Sequence, residues 1–200
     1  DLSFVPKSDF TTFRKELDSV ILNELVPIAS ENKKIEAPLF PKTRAAERKL
    51  HVRVYSKEDA LQALAAGAEV IYYDVFAPEI QLVSEMVKGK AAFYLHTPMV
   101  LTDTDCDRIS KIITKIKPEG ILVNNVGLLS LGFTGNIMLG YQMNIFNDNQ
   151  LNYYGYPAIA SIELNLTELS TFAQKDKLVY YAHGNPVVMT FKEAFADKQL

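Results

Sequence analysis

The sequence holds one cysteine and no tryptophan in 200 residues. The lone Cys106 excludes an internal disulfide. It also excludes a four-cysteine zinc site or an iron–sulfur cluster held by this chain alone. One thiol without a disulfide fits a cytoplasmic protein. Long apolar runs are missing too. None approaches the ~20 residues a membrane helix requires, so no membrane partner is expected. A strong charge of either sign is also missing. The net charge of −3 argues against a general nucleic-acid-binding surface and leaves only a local basic patch open. No glycine-rich fingerprint follows the first expected strand, because Gly67 ends a helix instead, and no dinucleotide cofactor is expected. No other motif asks for a cofactor.

What is present is a chain long enough to bury roughly 70% of the surface its unfolded form exposes, so a core can form without staples. It begins at Asp1 rather than Met, which reads as an excised piece of a larger protein. The expected organisation has three parts. Residues 1–36 form a lead and an N-terminal amphipathic helix: Ser8 is an expected N-cap, and Phe10, Phe13, Leu17, Val20, Ile21 and Leu25 recur at helical spacing. That helix is expected to end near Pro27. Residues 37–49 form a linker, with Pro38, Pro41 and the charged run KTRAAERK showing little periodicity. Residues 50–200 form an α/β domain.

A regular alternation begins at Leu50. LHVRVY, EVIYYDV, AAFYLHT, GILVNN, NIMLGY, AIASIEL and LVYYAHG read as strands. The segments between them read as helices or short helical turns, with Ser56 and the Asn165–Glu168 capping box as start signals. VVMTF is a candidate further strand or hairpin return. Strict alternation requires parallel strands joined by right-handed crossovers. Short, evenly spaced strands favour a barrel over a doubly wound sheet. Only about 150 residues follow the linker, against ~250 for a usual TIM barrel, so the expected fold is a TIM-barrel-like, reduced or incomplete (βα) barrel.

In such folds the site lies at the carboxyl ends of the strands. The residues expected there are Asp74, His96, Asn124, Asn125, Asn144 and Asn147 as substrate-binding groups, with Glu163 and His183 on successive strand ends. If those two strands pair, their backbones lie ~5 Å apart, so a carboxylate and an imidazole can meet as acid and base. The alternative is that Glu163 and Asn165 cap the next helix while His183 bonds to a turn. No metal site is expected, since zinc would require a third protein ligand and only His96 or Asp74 is at hand. Cys106 opens a helix among acidic residues and reads as a structural thiol. His51 starts a strand, at the end of the fold that serves stability.

Four segments carry a resemblance: VPKSDFTTFRKEL, GYQMNIFND, SIELNLTEL and YYAHGNPVVM. In order and spacing they resemble the collagenase-like peptidase family, peptidase family 32 of unassigned catalytic type. The resemblance implies a TIM-like barrel in a cytoplasmic protein of prokaryotic type, with this chain as the C-terminal part of a larger member. It implies either a peptidase or a non-catalytic binding module of an RNA-modification (hydroxylation) protein; in the peptidase reading the strand-end residues Glu163 and His183 are the expected acid–base pair, with asparagines as orienting or oxyanion groups. The expected partners are the rest of the parent chain and a peptide or RNA substrate. The glycine- and cysteine-rich block of the family is not in these residues.

Overall fold

A computed structural model of the chain describes residues 7–20, 39–44, 47–187 and 190. The chain divides into two compact units, residues 1–39 and residues 40–200. In the first, α1 (Lys7–Val20) is a helix in which Arg14 and Asp18 pair one turn apart at 3.9 Å. Ser8 lies inside this helix and not before it, so the cap position falls outside the described residues. The expected continuation towards Pro27 and the VVMTF strand at Val188 and Met189 also lie outside them.

The second unit alternates strand and helix as the apolar runs require. The order is β1 (His51–Val54), α2 (Lys57–Ala65), β2 (Val70–Asp74), α3 (Ile80–Val87), β3 (Ala92–His96), α4 (Asp103–Ile116), β4 (Gly120–Val123), β5 (Asn136–Leu139), α5 (Asp148–Tyr154), β6 (Ala158–Ile159), α6 (Leu166–Thr171) and β7 (Leu178–Val179). Short 3-10 turns cover Val126–Leu131, Tyr141–Met143 and Lys175–Lys177. Helix starts are set by side chains. Ser56 with Asp59, Thr102 with Asp105, and Asn165 with Glu168 each form a capping box. Each box satisfies amide groups that the first turn leaves unpaired. Gly67, at φ +83°, turns the chain out of α2 in a left-handed conformation that a side chain would strain.

All seven strands are parallel and lie in sequence order, β1 to β7. A doubly wound sheet reverses its order in the middle and puts helices on both faces. This one never reverses, so it curls into a half-barrel. Among the described residues β7 does not pair with β1, and the barrel stays open.

Side chains alternate across the strands and make two packed faces. Val54, Ile71, Tyr73, Phe93, Leu95, Ile121, Val123 and Leu139 belong to the main core, with Val83 of α3, Ile109 of α4 and Leu151 of α5. The opposite, concave face holds a smaller cluster of Val70, Tyr72, Leu122, Met138, Tyr141 and Ile159. Large and small residues fit together there. Tyr72 and Tyr94 meet edge to face at 5.6 Å. Tyr94 lies over Gly120, where an added Cβ would stand 2.1 Å from the ring. His51 Nδ1 and the Tyr72 hydroxyl are 2.7 Å apart, which ties the start of β1 to the concave face.

The last two strands are shorter than the apolar runs suggest. β6 spans Ala158–Ile159, and an isolated bridge joins Ala160 to Ile145. The chain then turns at Ser161 to reach the capped start of α6. Asp148 holds the return. Its carboxylate accepts from the backbone N–H groups of Ala173 (2.9 Å) and Gln174 (3.0 Å). Replacing Asp148 by alanine strands both donors and is expected to cost about 2 kcal/mol, read as a lower urea midpoint at unchanged slope. A loss within the scatter of ordinary surface substitutions, about 0.5 kcal/mol, would show that the loop holds without it.

Candidate functional site at the strand ends

The carboxyl ends of β2, β3 and β4 bring three polar residues together. Asp74 and His96 are direct register partners, and Asn124 follows the end of β4. His96 is 6% exposed and Asn124 is 2% exposed. The Asn124 amide donates to the carbonyl of Thr97 at 2.7 Å and faces His96 Nε2 at 3.2 Å. Its backbone N–H donates to Thr97 Oγ1 at 3.3 Å, and Thr97 in turn donates to the Leu122 carbonyl at 2.9 Å. The asparagine is therefore fixed from both ends.

This fixing sets the state of the histidine. An amide N–H directed at Nε2 requires a lone pair there, so the neutral ring carries its proton on Nδ1. Burial, with the positive Arg53 as a second cause, holds the His96 pKa down at about 3. Nδ1 is 3.9 Å from Asp74 Oδ2 and has no hydrogen-bond partner among the described residues. Asp74 Oδ1 accepts from the Phe76 N–H at 2.8 Å, so the carboxylate is shared between its own loop and His96. Asn124 Oδ1 is likewise buried without a partner among the described residues. It lies towards Gly140, the residue after β5, where an added Cβ would stand 1.8 Å away.

The other expected residues are occupied with local structure. Asn125 donates to the Met99 carbonyl at 2.7 Å and accepts from the Gly127 N–H at 2.9 Å, starting the turn after β4. Asn144 adopts φ +51° at the end of a 3-10 turn, a conformation asparagine tolerates. Asn147 caps α5 by accepting from the Gln150 N–H at 3.0 Å. Glu163 and His183 are not at strand ends. Both lie exposed in turns, because β6 and β7 stop early. Among the described residues no ion pair or hydrogen bond joins them. Glu163 does not cap α6, whose N-cap is Asn165.

Arg53, which reading the sequence did not single out, and two tyrosines complete the rim. Arg53 sits on the concave face of β1, in register with Tyr72, and its guanidinium carbon lies 4.8 Å from the Tyr55 ring centre. Tyr141 is buried, meets Tyr181 edge to face at 5.6 Å, and accepts at its hydroxyl from the Val187 N–H at 2.8 Å. The segment after β7 thus folds back onto the rim. Arg53 had one visible signal: it is the charged residue inside HVRV, at the same parity as His51.

A cavity of about 100 Å³ opens beside Ser161, Leu169, Tyr180 and Tyr181 at the ends of β6 and β7. A larger one of about 380 Å³ lies at the opposite ends of the strands, beside Ser110, Lys117, Leu131 and Phe133. Among the described residues no third His, Cys, Asp or Glu joins Asp74 and His96 in a group that could hold a metal, and no helix is long and apolar enough to cross a membrane. The fold and site define a class: a singly wound parallel half-barrel with a polar rim at its strand ends. No family model matches the chain, and neither a curated protein nor a solved structure does.

Proposed function

We propose that this half-barrel is a non-catalytic binding module of a cytoplasmic protein of the collagenase-like peptidase family. In this reading its strand-end rim holds an RNA substrate for chemistry carried out elsewhere in the parent protein. The observation that carries binding is the arrangement of Asp74, His96 and Asn124. A neutral imidazole is locked by Asn124, and its Nδ1–H, without a partner, faces an accessible carboxylate. Buried polar atoms without partners cost stability, and a ligand group that meets them recovers it. The choice of RNA rests on the resemblance to relatives that hydroxylate RNA. Against the hydrolytic reading stands that, among the described residues, no hydrogen bond or ion pair joins Glu163 to His183, the acid–base pair that reading uses.

The test is a titration of the full chain against labelled single-stranded RNA across salt concentrations. Saturable binding that weakens as salt rises is expected, and His96→Gln is expected to weaken it roughly tenfold through loss of a fixed polar contact. Absence of binding even at low salt overturns the RNA reading. Peptide cleavage by the chain that disappears in both Glu163→Ala and His183→Ala would restore the peptidase instead.

A further inference from the structure

Arg53 places a positive charge on the concave face. Its place follows from strand parity. It pairs in register with Tyr72, whose ring belongs to the concave cluster. The neighbouring strand ends in an acid, Asp74. Its carboxylate has other partners near it, one oxygen taking the Phe76 N–H at 2.8 Å and the other lying 3.9 Å from His96 Nδ1. Among the described residues Arg53 makes no ion pair. What it has is the face of Tyr55, at 4.8 Å, and that tyrosine is 63% exposed. A guanidinium stacked on a tyrosine keeps its N–H donors free at the edge.

The charge also reaches across the mouth. It acts on the His96 imidazole, which lies on β3, and on the Tyr181 hydroxyl, which lies just past β7. Tyr181 is held there by its edge-to-face contact with Tyr141 at 5.6 Å. Gly184, at φ +135°, lets the chain pass so close that a Cβ would lie 2.7 Å from the Tyr181 hydroxyl.

We infer that Arg53 is the anchor for an anionic group of the ligand, a carboxylate or a phosphate, on the side of the rim that Tyr55 and Tyr181 border. The inference deepens the binding-module reading and rests on it for the rest of the ligand. The planar guanidinium offers two parallel donors to such a group, and charge-assisted bonds of that kind are about twice as strong as neutral ones. The neutral state of His96 suits this arrangement, because a second fixed cation beside Arg53 would repel it.

The experiment follows the Arg53 side-chain Nε–H signal in nuclear magnetic resonance spectra of the full chain. The probes are inorganic phosphate and acetate, each compared with chloride at matched ionic strength. A saturable shift of the Arg53 signal is expected with at least one of them. Phosphate alone points to a phosphorylated ligand and acetate alone to a carboxylate. Arg53→Lys keeps the charge but loses the fork, and is expected to bind roughly tenfold more weakly. Arg53→Gln is expected to abolish the response that remaining rim signals report. Shifts no larger than those with chloride, or an unchanged affinity in Arg53→Gln, overturn the anchor. RNA binding that persists without any anion response removes the anchor alone. An anion response without RNA binding removes the RNA reading alone.

Discussion

Gly140→Ala is expected to lower the stability of the half-barrel by about 4 kcal/mol, the sum of an overpacking cost and of one buried polar group left unpaired. In a domain of this size that is a fall in melting temperature of about 10 °C. The cause is specific. An alanine Cβ would stand 1.8 Å from Asn124 Oδ1 and 2.7 Å from its Cγ. Asn124 has nowhere to move, since it is 2% exposed and tied through its side chain to the Thr97 carbonyl at 2.7 Å. If it swings away it leaves His96 Nε2 without a donor. The backbone of Gly140 is ordinary, at φ −75°, so the penalty comes from contact and not from conformation. A double-mutant cycle separates the two. In an Asn124→Ala background the clash is gone, and Gly140→Ala should then be nearly neutral. An equal penalty in both backgrounds would place the cost in the backbone and sink the explanation.

That pairing shows which parts of the fold were legible. Parallel strands are buried on both faces, so they appear as continuous apolar runs such as GILV, and β1 to β5 fall where those runs predict. Ser56, Gly67 and the Asn165–Glu168 pair mark helix ends because their chemistry is local. The two short strands were not legible. Ile162 and Leu164 extend the run of β6, yet Ile162 is 41% exposed in the turn after Ser161. Apolar content cannot tell a strand from a turn that packs one side chain. The expected meeting of Glu163 and His183 depended on those strands continuing; both residues lie exposed in turns, and among the described residues no hydrogen bond or ion pair joins them.

The site was legible to the extent that strand ends were. Asp74 and His96 close runs of apolar residues, so their position followed from the pattern. Their relation to Asn124 depended on register, which only the folded sheet supplies. Asn125, Asn144 and Asn147 carry the same residue type as Asn124 but face turns and helix starts, where asparagine serves the backbone. Arg53 and Gly140 were hidden for a common reason. Each matters through a neighbour on another strand.

His96→Gln is expected to flatten the acid limb of the stability curve. In the folded chain the imidazole pKa is held down at about 3, from an ordinary value of 6.5, first by burial and then by Arg53. The groups facing it are Arg53 from β1, Asp74 from β2 and Asn124 beyond β4. The unfolded chain therefore binds a proton below about pH 6.5 that the folded chain refuses, and a depressed folded pKa means stability that is whole above that value and lost as pH falls. The slope is about 1.4 kcal/mol per pH unit, so the loss approaches a figure on the order of 4 kcal/mol near pH 3. That is a large part of the total for a single domain. Glutamine cannot titrate, and its side-chain oxygen can accept the Asn124 amide in place of Nε2. Urea unfolding of both proteins, stepped from about pH 7 to about pH 4, should show wild-type stability falling faster than that of the variant by roughly the stated slope. Parallel curves would mean that the ring takes up its proton in the folded state at an ordinary pH. The neutral Nδ1–H on which the proposed binding depends would then be absent.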